Sequence, residues 1–351
     1  MHRSTGTTTL ESVIPRPVLL VALLVLVSGC STSPNGTPGA SPIPTVALAN
    51  PTPPPVPTAA PTASSTPIAL PSFTQISAPS GSVVWALVAA SRLFRSTDRG
   101  DTWQERPLPQ QGLNSLVSFI DDHEGWVTTS GSPGAQCQSQ SVAISHTVDS
   151  GATWEPVSVS GVAAAQCKGT VMFADATHGF LTAYGPDSAP VVYRSADGGR
   201  SWIASRPFAD PPGSTSSPGG ALLTPGPVRS FGATLLLAAG GSNSGQYAYR
   251  SSDAGATWSH VSTAPINTAA TIAFVTAVRW LQIGAPGESK ETTSGGVTWH
   301  AFTTDYQQAA PVGPTVVFGD AQVGYATVRG AIQRTTDGGA HWSSIRTPGT
   351  F

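Results

Sequence analysis

Six short segments of this chain align residue for residue on one pattern, and that repetition limits the possible folds more than any other property of the sequence. They are Ser96–Trp103, Thr147–Trp154, Ser195–Trp202, Ser251–Trp258, Thr292–Trp299 and Thr335–Trp342. Each runs Ser/Thr-x-Asp-x-Gly-x-Thr-Trp, with Ser201 or His341 for the Thr in two copies and Ser294 for the Asp in the fifth. The tryptophans are 51, 48, 56, 41 and 43 residues apart, a spacing of one four-stranded sheet per repeat. A unit of that size cannot bury its own apolar faces, so neighbouring units must cover them. The expected fold is all-β: a six-bladed β-propeller of four-stranded antiparallel blades over residues 72–351. Seven blades remain open if the 56-residue interval before Trp258 holds extra strands.

The residue types of the repeat make sense as a turn. A carboxylate at Asp98, Asp149, Asp197, Asp253 or Asp337 can accept backbone N–H groups of its own loop. Gly two positions later can take a positive φ without steric cost. Ser or Thr two positions before the Asp can add a side-chain-to-backbone bond. Trp103, Trp154, Trp202, Trp258, Trp299 and Trp342 then fall on the outgoing strand and fill the wedge between sheets. Each segment is read as a staple between the third and fourth strands. The fifth, with Ser294, is expected to be the loosest.

A second signature lies upstream: Phe119-Ile-Asp121 to Gly125-Trp126, Phe173-Ala-Asp175 to Gly179-Phe180, and Phe318-Gly-Asp320 to Gly324-Tyr325. Short β-rich runs such as Thr315–Phe318 and Tyr325–Val328 flank it and read as strands. A blade is therefore an inner strand, an Asp-containing turn, a Gly-aromatic second strand, a third strand, the Trp-tipped turn and an outer strand. The first begins near Phe73 and the sixth closes at Trp342–Arg346, with no strand left over for a shared blade.

Residues 1–29 read as a lipoprotein signal peptide, with Arg3 and Arg16 preceding the apolar run Pro17–Val27. That run is about half the ~20 residues needed to span a bilayer. It ends in Val27-Ser28-Gly29-Cys30, which resembles the bacterial lipobox, so lipidation at Cys30 is expected. Two or more acyl chains hold a protein stably on a membrane. Residues 30–71 are rich in Ser, Thr, Pro and Ala, a composition expected to form a disordered tether. The remaining cysteines, Cys137 and Cys167, form an even pair in an exported setting. The first falls between strands two and three of blade two and the second in the link to blade three. Those loops emerge on the same side of a propeller, so a disulfide is expected, with two separate thiols as the alternative.

The repeat resembles the Asp-box, or bacterial neuraminidase, repeat. Joined to the Phe-x-Asp…Gly-aromatic signature, it is also similar to the photosystem II stability/assembly factor-like family over nearly all of residues 73–351. That resemblance implies a non-enzymatic propeller that binds a protein partner through an arginine-rich patch. Arg95, Arg194, Arg250 and Arg334 each stand just before a repeat segment and are the corresponding positions here. They read either as a contact surface suited to carboxylates or as local partners of the turns. Sialidases share the repeat, so an exo-acting glycoside hydrolase is the rival reading. Its chemistry would need an arginine clamp, a Tyr nucleophile with a Glu, and an Asp acid/base. Candidates on the opposite face are Asp187, Glu288, Asp305 with Tyr306, Arg92 and Arg329, but no Arg-Ile-Pro motif accompanies them.

A net charge of −2 with 10% charged residues leaves no basic footprint for nucleic acid. His123 and His178 sit in equivalent turns without metal-ligand spacing, and no cofactor or metal is expected. The sequence thus predicts a monomeric, lipid-anchored, non-catalytic binding or assembly scaffold outside the cytoplasm. Its partner is a protein or a glycan, met by the arginine face or by the long loops Ser130–Ser141 and Phe208–Pro227.

Overall fold

The computed structural model describes residues 67, 69 and 73–350, apart from 110–113, 186–187, 213–222, 242–244, 267–269, 286 and 307–313. The residues read as a signal peptide and linker, Cys30 among them, lie outside the described residues save Pro67 and Ala69, as does Asp187. Twenty-four strands build six sheets of four consecutive strands each. Blade 1 is β1 (Thr74–Ser77), β2 (Val84–Val88), β3 (Arg92–Ser96) and β4 (Gln104–Arg106). Blade 2 is β5 (Ser115–Phe119), β6 (Gly125–Ser130), β7 (Val142–Thr147) and β8 (Glu155–Val157). Blade 3 is β9 (Cys167–Phe173), β10 (Gly179–Gly185), β11 (Ser188–Ser195) and β12 (Ile203–Ala204). Blade 4 is β13 (Leu223–Phe231), β14 (Thr234–Gly241), β15 (Gln246–Ser251) and β16 (Ser259–Thr263). Blade 5 is β17 (Ile272–Phe274), β18 (Trp280–Gln282), β19 (Lys290–Thr292) and β20 (His300–Ala301). Blade 6 is β21 (Thr315–Phe318), β22 (Gly324–Val328), β23 (Ala331–Thr335) and β24 (Ser343–Ile345).

The 56-residue interval before Trp258 holds long strands and no additional sheet among the described residues, so the blade number is six. Its expected loop, Phe208–Pro227, is shorter than predicted. From Leu223 onward the chain is strand, and the two prolines fall where the pairing with β14 shifts register between Pro225 and Val228. Proline lacks an N–H for the ladder, and such an irregularity accommodates it.

Apolar clusters between successive blades close the ring. Trp85, Leu87 and Leu93 of blade 1 pack on Val117, Phe119 and Val127 of blade 2. Trp126 and Ile144 of blade 2 meet Val171, Phe173 and Leu181 of blade 3. The series continues through Phe180 with Leu235 and Tyr249, then Leu236 with Phe274 and Trp280, then Leu281 with Phe318. Ala78 and Val84 of blade 1 join Val323, Tyr325 and Ile332 of blade 6, so first and last sheets pack directly.

The second signature has a packing explanation. The Phe ring folds back over the Gly that opens the next strand: a Cβ at Gly125 would lie 2.2 Å from the Phe119 ring, and one at Gly179 2.6 Å from Phe173. In blades 2 and 3 a tryptophan of the preceding blade stacks on that ring. Trp85 stacks on Phe119 at 3.6 Å and 4°, and Trp126 on Phe173 at 3.9 Å and 8°. Each repeat tryptophan occupies the last turn position, one residue before the outer strand and not within it. Where the signature Phe is present the tryptophan meets it edge-on, as Trp154 meets Phe119, Trp202 meets Phe173 and Trp342 meets Phe318. Cys137 and Cys167 form a disulfide with Cα atoms 4.9 Å apart, tying the β6–β7 loop to the first residue of β9.

Candidate interaction surface

The face bearing the Trp-tipped turns is built from a repeated set of hydrogen bonds. In blade 1, Thr102 donates its backbone N–H to Asp98 Oδ1 at 2.8 Å and its hydroxyl to Oδ2 at 2.6 Å. Ser96 Oγ donates to Asp98 Oδ1 and accepts the N–H of Gly100 at 2.8 Å. Two successive residues take positive φ, Arg99 at 65° and Gly100 at 87°, and only the second position is Gly in every copy. The same bonds recur around Asp149, Asp197, Asp253 and Asp337. At Asp337 the His341 ring replaces the hydroxyl, with Nδ1 2.5 Å from Oδ2. The hydroxyls of Thr102, Ser201 and Thr257 hold Asp98, Asp197 and Asp253 down to about 2, well below an ordinary aspartate.

In the fifth turn one hydroxyl replaces two carboxylate oxygens. Ser294 Oγ accepts the N–H of Thr298 and pairs with its hydroxyl, both at 3.0 Å. The bond from Gly296 N–H to Thr292 Oγ1 stays at 3.0 Å. The turn thus keeps its form with longer contacts and no charge.

Five of these turns, all but that of blade 4, lean on the first hairpin of their own blade. Arg99 N–H donates to Ser82 O, and Ser150, Gly198, Gly295 and Gly338 make the equivalent bonds to His123, Thr177, Val278 and Gln322. In the first hairpins, Asp121, Asp175 and Asp320 accept two backbone N–H groups apiece. His123 and His178 lie there as turn residues, and His178 also pairs with Asp175. Among the described residues no group of three or more His, Cys, Asp and Glu side chains is placed to hold a metal.

The four arginines divide into two pairs. Arg95 reaches from blade 1 to blade 2 and grips Asp122 with two nitrogens, Nε at 2.6 Å from Oδ1. Arg334 reaches from blade 6 to blade 1, donating to Arg99 O at 2.9 Å and Asp101 Oδ1 at 2.6 Å. Arg194 and Arg250, half-buried at the same repeat position, meet no carboxylate among the described residues; the Nε of each is buried without a hydrogen-bond partner, as is that of Arg334, whose pairing runs through Nη1. Arg250 does point forward, since a Cβ on Gly295 of blade 5 would lie 2.9 Å from its Nη2.

Aligning the blades explains the split. Asp122 stands three residues after Phe119; the corresponding residue of blade 5 is Ala277, and blade 4 has only Gly232-Ala233 in that hairpin. Asp101 stands between Gly100 and Thr102; its counterparts are Ala256 in blade 4 and Val297 in blade 5. The turns that follow Arg194 and Arg250 have therefore lost both carboxylates. Sequence reasoning also missed Arg279, which pairs with Glu291 at 2.6 Å and donates to Gly338 O of blade 6 at 2.8 Å. Its signal was the repeat position before the third-strand Thr, which is Arg in four blades but Glu291 in blade 5 and His146 in blade 2. His146 stacks on Trp126 at 4.6 Å and pairs with Glu124.

The described candidates for a hydrolase site are dispersed. Asp305 and Tyr306 do not lie on the opposite face as expected. Asp305 accepts the N–H of Trp342, and Tyr306, 2% exposed, packs edge-on against that tryptophan. Burial pushes the Tyr306 phenol up to about 12, away from nucleophilic use. Arg92 is held by Glu105 through two contacts of 2.7 and 2.5 Å and also donates to Gly349 O. Glu288 and Arg329 are exposed in the β18–β19 and β22–β23 turns of separate blades. The six innermost strands carry no Asp or Glu; their charged residues are Lys168 and Arg229. Lys168 Nζ donates to three carbonyls of its own loop, and Arg229 spans from blade 4 to Phe318 O of blade 6 at 2.6 Å. Burial pushes the Arg229 guanidinium down to about 10. A cleft of about 550 Å³ at the blade 6–blade 1 seam is lined by Phe94, Trp103, Ile345 and the segment 346–350.

The fold is a shared one. No protein-family model matches the chain, and no curated protein matches it in sequence. Among solved structures it is similar to AofleA from Arthrobotrys oligospora, with a TM-score of 0.50 at 14% identity over 79% of this chain and 87% of that one. YCF48 from Cyanidioschyzon merolae gives 0.47 at 17% identity over 83% and 86%. A polysaccharide lyase family 25 ulvan lyase gives 0.45 at 10% identity over 83% and 86%. At such identities the likeness concerns the propeller alone.

Proposed function

We propose that this chain is a non-catalytic binding scaffold, exported, held at a membrane by a lipid on Cys30, and engaging a protein partner through the face of the Trp-tipped turns. The observation that carries this reading is the division among equivalent arginines. Arg95 and Arg334 are spent on joining blades, while Arg194 and Arg250 stand half-buried on the same face without a carboxylate. A guanidinium in that state favours an incoming carboxylate, because its planar fork is already positioned and partly desolvated. A cysteine pair joined in a disulfide fits an oxidising compartment, and the leader with its Cys30 supplies the route there. A hydrolase is disfavoured by the scattering of its candidate groups and by innermost strands free of carboxylates.

Cross-linking and affinity capture from membranes of the producing cell test the reading. The wild-type chain is expected to capture a partner that the Arg194→Ala/Arg250→Ala variant loses, while the exposed control Arg346→Ala retains it. Capture that survives the double change removes the arginine face, and turnover of any fluorogenic glycoside in a broad panel removes the non-catalytic assignment. For the anchor, Cys30→Ser is expected to release the chain into the soluble fraction. A Cys30→Ser chain that stays membrane-bound refutes lipidation there.

A further inference from the structure

Blade 5 carries Ser294 in place of the turn Asp. It also lacks both carboxylates that close arginines elsewhere on the face: Val297 stands where blade 1 has Asp101, and Ala277 where blade 2 has Asp122. Two aliphatic side chains are exposed there, Val297 at 80% and Val278 at 51%. They belong to adjoining turns, because Gly295 N–H donates to Val278 O at 2.8 Å. Arg250 of blade 4 lies against the same turn at Gly295. Exposed valines on this face are not confined to blade 5, since Val148 of the blade 2 turn is 64% exposed; what sets this pair apart is a cation beside it with no acidic partner among the described residues, which gives the patch a definite polarity.

We infer that the blade 4–blade 5 junction is the docking site for an acidic, aliphatic peptide segment, whose carboxylate meets Arg250 and whose neighbouring aliphatic side chain covers Val278 and Val297. This rests on the scaffold reading and locates its contact. Charge complementarity decides the occupant: elsewhere on this face the corresponding guanidiniums of Arg95 and Arg334 are closed by Asp122 and Asp101, and here the partner brings the missing carboxylate. The adjoining valines select an aliphatic neighbour over a polar one.

The test uses the full-length chain in detergent and a fluorescein-labelled dodecapeptide of alternating leucine and glutamate, followed by anisotropy. Saturable binding is expected, with leucine–glutamine and serine–glutamate counterparts binding at least about ten-fold more weakly, the size of one lost charge-assisted contact. Val297→Asp restores the carboxylate that closes this position in blade 1 and is expected to weaken the leucine–glutamate peptide by the same factor, as is Arg250→Gln. Val297→Ser and Val278→Ser, which add no charge, are expected to give a smaller loss. Thermal melts of each variant confirm that the ring is intact. No saturable binding by the wild-type chain overturns the inference, as does binding that Val297→Asp and Arg250→Gln leave unchanged. If capture of the native partner needs Arg194 and Arg250 but ignores Val297→Asp, this site falls and the scaffold stands. If capture survives the arginine changes, the scaffold reading falls first.

Discussion

Blades 1 and 5 present the same pair of turns on the same face, yet they close their borders differently. Blade 1 offers Asp101 and a backbone carbonyl to Arg334 arriving from blade 6. Blade 5 offers Val297 and Ser294 to Arg250 arriving from blade 4. The turn itself barely registers the change. Its shape follows from a hydroxyl at the first position, two positive φ angles and an oxygen at the third position, whether carboxylate or serine. Form and charge are therefore separable in this repeat. The residues that make the hairpin stay fixed, and variable positions of this turn and of the neighbouring first hairpin decide whether a blade border is sealed or left open.

The apolar seam should be indifferent to that distinction, which gives the largest effect. Trp85→Ala, at the sealed side, removes a fully buried ring stacked on Phe119. Trp280→Ala, at the open side, removes one equally buried. Each is expected to cost about 3–5 kcal/mol in denaturant unfolding. A cost below about 1 kcal/mol for Trp280→Ala alone would mean that the blade 5 border is loosely packed and that its exposed valines reflect poor fit. A smaller effect follows from the ring folded over glycine. Gly125→Ala sets a Cβ into Phe119 and is expected to cost about 1–3 kcal/mol. Blade 5 already carries Trp280 at that register position, opposite Thr292 as Gly125 is opposite Thr147, and meets Phe274 edge-on at 5.1 Å. Its Phe cannot fold back as Phe119 does.

Acid should separate the two kinds of turn. Asp98, Asp197 and Asp253 are held at about 2 in the folded chain, against about 3.9 unfolded. A depressed value in the folded state contributes stability that is present above pH ~4 and lost as pH falls through about 2. Hydrogen exchange is expected to show the Thr102 and Thr257 amides losing protection across that window. The Thr298 amide, bonded to a serine hydroxyl, should show no such step. A parallel loss at all three positions would tie the effect to global unfolding and not to the carboxylates.

The ring, the blade number, the turn chemistry and the cysteine pair were legible because they rest on local, repeated residues. Asp98 and Gly100 act within their own turn, and Phe119 with Gly125 within one hairpin. The fate of the arginines was not legible within one repeat. Arg95 and Arg250 stand at the same position, and what distinguishes them sits one blade further on, at Asp122 or Ala277. Comparing each repeat with its successor would have revealed this. Asp305 with Tyr306 failed for a related reason: the chain after β20 runs back along the blade 6 turn and seats them against Trp342, a long-range contact that no spacing announces.

The smallest effect bears most directly on whether the border charges matter. Arg95 and Asp122 are 18% and 23% exposed, so their pairing is only partly shielded from solvent and should contribute about 0.5–1 kcal/mol, less at high salt. A double-mutant cycle with Arg95→Ala and Asp122→Ala is expected to return a coupling of that size. Arg250 has no acidic partner among the described residues to couple with, so Arg250→Ala alone should show no salt-dependent cost. Placing Val297→Asp opposite Arg250 should create a coupling of similar size, since blade 1 shows that this position reaches the incoming guanidinium. Zero coupling in both cycles would reduce the difference between the borders to one of appearance. A coupling at Arg95–Asp122 that is absent at Arg250–Val297→Asp would show that blade 5 has lost the geometry along with the charge.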